Sequence, residues 1–234
     1  MYQVAFSGNA MSLLGNFIKD IFQKKNEIET DVAKPKVLNV GGGSKSTPIP
    51  SYFTGWQHDL LDVDPRGAPD ILCDARKLDT LQGGAYDAVY CSHNLEHYYR
   101  HHGLQVVRGF WHMLKASGFV EVRVPDIAQV IQLLADRSLD IDQTLYESGM
   151  GPISAHDVIY GLQNEIESSG NDFYAHKTGF TPASLEKLLV DGGFKNIVVK
   201  SDEHLAVHAL AFKSEPTLDQ CDFFHGIWDV KRPL

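Results

Sequence analysis

The sequence has few cysteines, no long apolar run and no basic tract, and each absence disfavours a class of protein. Its three cysteines, Cys73, Cys91 and Cys221, are far apart and lack the close spacing of a disulfide framework or a thiolate zinc site. No apolar run approaches the ~20 residues needed to cross a bilayer. The formal charge of −9, without a lysine or arginine cluster, disfavours binding to nucleic acid.

What is present is typical of a folded globular protein. Apolar residues make up 43% of the chain and charged residues 22%. A length of 234 residues suits one domain, residues 1–234, with its own hydrophobic core. The first residues lack the basic start and small-residue cleavage site of a secretory signal. The sequence therefore predicts a cytoplasmic protein.

Strand-like and helix-like segments alternate along residues 36–212. Predicted strands cover residues 37–40, 58–65, 70–74, 86–91, 119–124, 197–200 and 206–212, the last two as an antiparallel hairpin. Helical periodicity over residues 104–114 predicts a helix that ends at Ser117 and Gly118. Further predicted helices cover residues 127–137 and 182–191. This alternation indicates crossover connections and a mainly parallel sheet, so we predict an α/β core.

Three further segments surround this core. Apolar residues at helical spacing predict an amphipathic helix over residues 11–25, which covers the sheet or contacts a membrane surface or a second copy in a homodimer. Residues 127–180 contain a long insertion of the kind that often forms a lid. The aromatic residues of the tail, residues 215–234, predict that it packs on the domain or on a partner.

Residues 37–44 predict a buried strand that runs into three consecutive glycines. Glycine permits positive φ and close approach of another molecule to the backbone. Asp62 and Asp64 lie at the end of the second predicted strand and Asp74 at the end of the third, and the carboxyl ends of parallel strands meet in one crevice. A cofactor with an amino acid end, a ribose and an adenine fits a glycine turn followed by two acidic positions.

Phosphate-bearing cofactors fit this turn less well. A dinucleotide site needs the pattern GxGxxG, whereas residues 41–46 read GGGSKS. A P-loop needs glycine directly before its lysine, and Ser44 stands before Lys45. An NAD-dependent Rossmann oxidoreductase therefore remains only a weaker alternative.

The motifs, in order, resemble those of the class I S-adenosylmethionine-dependent methyltransferases. The first motif reads Leu-Asn-Val-Gly, as in a small bacterial branch of that family. The matching segments are residues 37–43, 56–65, 70–78, 86–97, 114–119 and 176–194. The resemblance implies a Rossmann-like, doubly wound, seven-stranded sheet of order 3-2-1-4-5-7-6, with strand 7 antiparallel and a lid inserted after strand 5.

The resemblance also implies S-adenosylmethionine as cofactor and assigns its contacts. Asn39 and the glycine turn would hold the methionine end, Asp62 or Asp64 the ribose, and Asp74 the adenine amine. The full set of implied cofactor-binding residues is Asn39, Gly41, Gly42, Gly43, Asp62, Asp64, Asp74, Ala75, Ser92 and His93. Asn39 replaces a usual acid and Lys45 a usual glycine, which leaves open a non-catalytic interaction module with a methyltransferase-like fold.

Histidines are the candidate catalytic bases, because imidazole titrates near neutrality. His93, His97 and His176 are candidates, and each also suits a packing role. His93, His97 and His101 would line one helical face, but no cysteine or carboxylate completes a zinc site there, so we predict no metal. Tyr146, Tyr160, Phe173 and Tyr174 either cover an acceptor or form a small core within the insertion.

Methyl transfer is an in-line displacement, so positioning of the two reactants can supply much of the rate. The predicted function is S-adenosylmethionine-dependent methylation of a small-molecule or saccharide-type acceptor, at oxygen rather than nitrogen.

Overall fold

Among the residues that the structure describes, seven strands form one sheet and two more form a separate hairpin. The computed structural model describes residues 33–149 and 151–232, so the helix predicted for residues 11–25 lies outside them. The strands are β1 Lys36–Val40, β2 Gln57–Asp62, β3 Ile71–Leu72, β4 Tyr86–Ser92, β5 Leu114–Pro125, β6 Thr144–Ser148, β7 Gly151–Ser154, β8 Asn196–Ser201 and β9 Ala206–Phe212. The hairpin comprises β6 and β7.

Six α-helices in the described part of the chain connect or flank these strands. They are α1 Arg100–Met113, α2 Ile127–Arg137, α3 Ala155–Tyr160, α4 Gln163–Ser169, α5 Pro182–Asp191 and α6 Leu218–Phe223. Residues 33–149 and 151–232 also contain 3-10 turns at Ser51–Phe53, Pro65–Gly67, Ala75–Thr80, Leu95–His97 and Asp172–Tyr174. Within residues 33–149 and 151–232, no helix combines the length and apolarity that crossing a bilayer requires.

The sheet order is β3-β2-β1-β4-β5-β9-β8. Strand β9 runs antiparallel to both neighbours, and the remaining pairs are parallel. Because β6 and β7 belong to the hairpin, β8 and β9 are the sixth and seventh strands of the main sheet in chain order. The observed order therefore confirms the predicted order 3-2-1-4-5-7-6, with strand 7 antiparallel. The parallel arrangement brings the carboxyl ends of β1, β2, β3 and β4 to the same edge of the sheet.

Helices α2 and α5 have the bounds that the sequence predicts, because their caps are local. The Asp126 carboxylate accepts hydrogen bonds from the backbone N–H groups of Ala128 and Gln129 at the start of α2. Thr181 caps α5, with Pro182 at its first position. Such capping satisfies N–H groups that have no partner within the helix.

The predicted end of the first long helix at Ser117 and Gly118 is wrong. Helix α1 ends at Met113, and Leu114 already pairs with Tyr86 across the sheet. The Ala85 N–H donates to the Met113 carbonyl at 3.0 Å. Pairing with β4 therefore overrides the helical periodicity of the apolar residues, and β5 starts five residues before the predicted strand.

Apolar side chains cover both faces of the sheet. On one face, α1 and α5 contribute Val107, Phe110 and Leu185 to the larger core. On the other, Phe224 and Trp228 from the tail pack with residues such as Phe53 and Phe119. Phe224 is fully buried, so the tail completes the core of its own chain.

The insertion has secondary structure and a small core of its own. It contains the β6–β7 hairpin, α3 and α4, and its own small core is formed by Val130, Ile153, Ala155 and Val158. Tyr146 and Tyr160 are 43% and 51% exposed, so the expectation that they form this core is wrong. Small aliphatic residues fill it instead.

Candidate functional site

A cavity of about 730 Å³ opens where β1, β2 and β4 end. This volume lies in the range of small-molecule sites. Its lining comes from the loops after these strands, from the start of α1 and from the insertion. The lining residues are Gly41, Gly43, Asp62, Val63, Asp64, Arg66, Gly67, Asp74, Arg76, His93, Asn94, His97, Tyr98, Tyr99, His102, Asp172, Phe173, Tyr174 and Lys177.

The glycine turn after β1 has the conformation that its sequence predicts. Gly41 and Gly43 have φ of +72° and +69°, a region that disfavours other residues. A Cβ on Gly41 would lie 2.1 Å from the side-chain nitrogen of Asn94. The Gly41 N–H donates to the Leu61 carbonyl at 2.8 Å. The turn therefore depends on glycine both for its dihedral angles and for space.

The two residues that depart from the family pattern lie away from the cavity lining. Asn39 is 2% exposed beneath the turn, and a Cβ on Gly42 would lie 2.2 Å from its side-chain nitrogen. The Lys45 ammonium pairs with the Asp70 carboxylate at 2.6 Å. Asn39 thus packs against the turn from below, and Lys45 links it to the loop before β3.

Asp62, at the end of β2, connects two loops of the cavity. One carboxylate oxygen accepts the Gly43 N–H and the other accepts the Asp64 N–H, both at 2.9 Å. The residue is 8% exposed. Each oxygen has a second lone pair, so this carboxylate can still accept hydrogen bonds from a ligand.

Asp64 and Asp74 each pair with an arginine two residues further along the chain. The Arg66 side chain donates to Asp64, and this bonding holds the pKa of that carboxyl below its usual value. At Asp74, burial raises the carboxyl pKa, but hydrogen bonds from Arg76 outweigh it and leave the pKa lowered. Both carboxylates are therefore ionised at neutral pH and carry a local counter-charge.

The insertion reaches the cavity through the segment from Asp172 to Lys177. The Arg66 guanidinium donates to the Tyr174 hydroxyl at 2.7 Å. The Lys177 and Thr178 N–H groups donate to the Glu96 carbonyl at 2.7 and 3.1 Å. These contacts join the insertion to the loops after β2 and β4.

A carboxylate and three histidines meet beside the cavity. Glu96 is 1% exposed, and His93 Nδ1 lies 3.4 Å from its Oε1. Burial raises the pKa of the Glu96 carboxyl, but the facing histidines hold it below its usual value. Burial also lowers the pKa of His176. At neutral pH the cluster therefore contains an anionic carboxylate and a neutral His176 imidazole.

The predicted single helical face of His93, His97 and His101 does not exist. His93 follows β4 with φ of +50°, His97 ends a 3-10 turn, and His101 lies in α1. The break at residues 98–99 separates the turn from the helix. The His101 ring instead lies against the His102 ring at an interplanar angle of 53°, with ring centroids 4.0 Å apart.

The structure brings together some of the predicted site residues and not others. Gly41, Gly43, Asp62, Asp64, Asp74, His93 and His97 line the cavity. Asn39, Gly42, Ala75, Ser92 and His176 do not belong to the lining. The binding and catalytic roles of the residues in both groups stay predictions.

Sequence reasoning missed Glu96 and the two arginines. The repeated spacing Asp-x-Arg at residues 64–66 and 74–76 was readable in the sequence. Glu96 stands directly before His97, but no local pattern brings His176 to the same point. Phe173 and Tyr174 line the cavity, whereas Tyr146 and Tyr160 do not.

The sheet order defines a Rossmann-like methyltransferase fold, with the cavity at its usual edge. The sequence matches no family model and no curated protein sequence. Among solved structures, the PH0226 protein from Pyrococcus horikoshii OT3 has 14% sequence identity and a TM-score of 0.53, covering 85% of this chain and 91% of that one. That likeness is one of fold.

Two further structures are similar at lower scores. The magnesium protoporphyrin IX methyltransferase of Synechocystis PCC 6803, with bound SAH, has 16% identity and a TM-score of 0.46, covering 92% of this chain and 90% of that one. A possible exported protein from Bordetella parapertussis has 17% identity and a TM-score of 0.48 over 79% of this chain. The match spans 63% of the Bordetella protein's length.

Proposed function

We propose that this chain is an S-adenosylmethionine-dependent methyltransferase. One observation carries the proposal: the glycine turn, Asp62 and Asp74 face a single cavity of about 730 Å³ at the carboxyl ends of the strands. A positive-φ turn without side chains, followed by two carboxylates, fits a ligand with an amino acid end, a ribose and an adenine. The motif resemblance in the sequence names the same cofactor.

Each of these residues has a defined part in holding the cofactor. Gly43 leaves open space beside its backbone for the methionine end, whereas the space beside Gly41 is filled by the Asn94 side chain. Asp62 would accept the two ribose hydroxyls, and Asp74 the adenine amine. The bound cofactor supplies an activated methyl group on a sulfonium. The chain's own contribution is to hold this ligand and the acceptor in line.

The rest of the cavity favours a hydroxyl-bearing acceptor. His97, Tyr98, Tyr99, His102 and Lys177 line it, so aromatic faces alternate with hydrogen-bonding groups. Such a surface suits a small molecule or saccharide methylated at oxygen. We expect no nucleic acid partner. A cytoplasmic location and a homodimer remain part of this proposal.

His93 is the proposed general base. Its half-exposed imidazole lies at the end of β4 and lines the cavity. A neutral imidazole can accept the proton of an acceptor hydroxyl as the oxygen is methylated. The Glu96 carboxylate, 3.4 Å from Nδ1, would stabilise the resulting imidazolium. In this proposal His97 and His176 lie beside Glu96 and do not act as the base.

The first prediction concerns the cofactor itself. Calorimetric titration of the chain with S-adenosylmethionine and with S-adenosylhomocysteine is expected to show one-to-one binding, and NAD should give no heat. If neither sulfur compound produces heat or a thermal shift, the enzyme proposal fails and a non-catalytic module is favoured. Binding of NAD alone would favour the oxidoreductase. Labelled methyl transfer into fractionated cell extract then identifies the acceptor.

A second prediction concerns the hydrogen bond between Arg66 and Tyr174. Tyr174→Phe removes the hydroxyl that joins the insertion to the loop after β2. One such bond contributes about 0.5–1.5 kcal/mol, so affinity for S-adenosylhomocysteine is expected to fall roughly threefold to tenfold. Calorimetry measures the change. Tyr160→Phe, at an exposed tyrosine of the same insertion, is the matched control and should bind normally; equal affinities in both variants would contradict the prediction.

A further inference from the structure

The Glu96 carboxylate is buried without hydrogen bonds. Neither oxygen has a hydrogen-bond partner among the described residues, although the side chain is almost fully buried. His93 Nδ1, at 3.4 Å, is farther than the 2.7–2.9 Å of a charge-assisted hydrogen bond. A buried anion whose nearest donor lies this far away is costly, and proteins compensate such charges with a counter-charge or a metal ion.

Two histidines beside Glu96 are held so that one ring nitrogen of each stays free. His97 Nδ1 lies 3.2 Å from the Ala175 carbonyl, and His176 Nδ1 lies 2.9 Å from the Val158 carbonyl. A carbonyl only accepts, so each neutral ring donates from Nδ1 and keeps its lone pair at Nε2. A backbone carbonyl behind the second nitrogen is the usual support of a metal-binding histidine.

We propose that Glu96, His97 and His176 bind a divalent transition-metal ion. One carboxylate oxygen and one nitrogen from each ring lie within 4.8 Å of one another. Ligand atoms about 2.1 Å from one tetrahedral ion are roughly 3.4 Å apart, so side-chain shifts of about 1 Å close the site. Two imidazoles and one carboxylate suit zinc, iron, cobalt or nickel better than magnesium or calcium.

The proposed site adjoins the cavity, because His97 belongs to the cavity lining. His93 stays outside the proposed ligand set. The inference does not depend on methyl transfer, since it stands on the buried carboxylate and the two supported imidazoles. Its experiment omits S-adenosylmethionine, so metal binding and cofactor binding can fail separately.

The test is titration of the full chain, stripped with EDTA, with Co²⁺ by visible absorbance and with Zn²⁺ by calorimetry. We expect one ion per chain, with the absorption bands of four- or five-coordinate cobalt, and no comparable binding of Mg²⁺. Glu96→Gln and His176→Gln should each weaken Co²⁺ binding about 100-fold. His225→Gln, at an exposed histidine outside the cavity lining, should leave the affinity unchanged.

X-ray absorption of the zinc-loaded unaltered chain counts the imidazole ligands without any substitution, and two are expected. Circular dichroism and thermal melting in EDTA check that each variant folds. Glu96→Asp is a second variant at this position, because it keeps the charge but shortens the side chain by one methylene group. Absence of one-to-one binding, fewer than two imidazoles around zinc, or binding that Glu96→Gln and His176→Gln weaken no more than His225→Gln would each overturn the proposal.

Discussion

Asp62→Ala is expected to weaken binding of S-adenosylhomocysteine about 1,000-fold. Its carboxylate is the proposed acceptor of both ribose hydroxyls, and hydrogen bonds to a charged group contribute about 1.5–3 kcal/mol each. Two such bonds correspond to roughly 100- to 10,000-fold in affinity. The position also explains why the effect should exceed that at Asp64, whose carboxylate is already occupied by Arg66. Calorimetry with both variants measures the difference.

The same carboxylate holds the Gly43 and Asp64 N–H groups, so part of the loss at Asp62→Ala comes from a looser turn. Asp62→Asn separates the two contributions, because an amide oxygen still accepts one of these bonds while the charge is removed. Asp79→Ala, at an exposed acid outside the cavity, should bind normally. Full loss at Asp64→Ala with little change at Asp62→Ala would move the ribose contact to Asp64.

The parts of the fold that sequence predicts correctly are those set by local chemistry. The end of β1 follows from an apolar run meeting three glycines, and α5 follows from Thr181, Pro182 and the glycines after Asp191. The end of α1 depended on a distant partner: Leu114 pairs with Tyr86. Helical periodicity continues past Met113, and only the neighbouring strand decides that the helix stops there.

The same contrast between local signals and distant partners holds for the residues of the candidate site. Asp62 and Asp74 were predictable because each lies near the end of a predicted strand, and parallel strands bring such positions to one edge. Glu96 was not predictable, because burying a carboxylate is costly without suitable partners and the sequence does not show which groups surround it. Its surroundings include His176, which the insertion places beside His97 with ring centroids 4.9 Å apart. Contacts between an insertion and the core leave no periodic signal in sequence.

A second buried carboxylate, Glu121, lies outside the cavity lining and should control stability as pH changes. It is 4% exposed on β5, opposite Tyr90 and Leu210 of the adjacent strands. The Tyr52 hydroxyl donates to it. Burial raises the pKa of the Glu121 carboxyl from 4.5 to about 7, although Tyr52, Lys200 and Arg123 each act to lower it.

A carboxyl whose pKa is higher in the folded than in the unfolded state binds its proton more tightly when folded. Below pH 4.5 both states are protonated at Glu121, so the group does not affect the free energy of unfolding. Between pH 4.5 and about 7 the unfolded chain ionises first, and stability falls. Above that window the folded chain carries a buried anion, and the loss reaches about 3 kcal/mol.

Glu121→Gln is therefore expected to raise the free energy of unfolding by about 3 kcal/mol at pH 8 and to change it little at pH 4. The amide keeps an oxygen that can accept the Tyr52 hydroxyl and removes the charge that burial penalises. Urea unfolding of both chains at intervals from pH 4 to pH 8 measures the difference, which should grow through the window set by the two pKa values. Glu186→Gln, at an exposed position of α5, should show no such trend. A Glu121→Gln chain that is less stable at pH 8 would mean that the anion is stabilised in place, with the ionised carboxylate held by Tyr52 and the neighbouring cations.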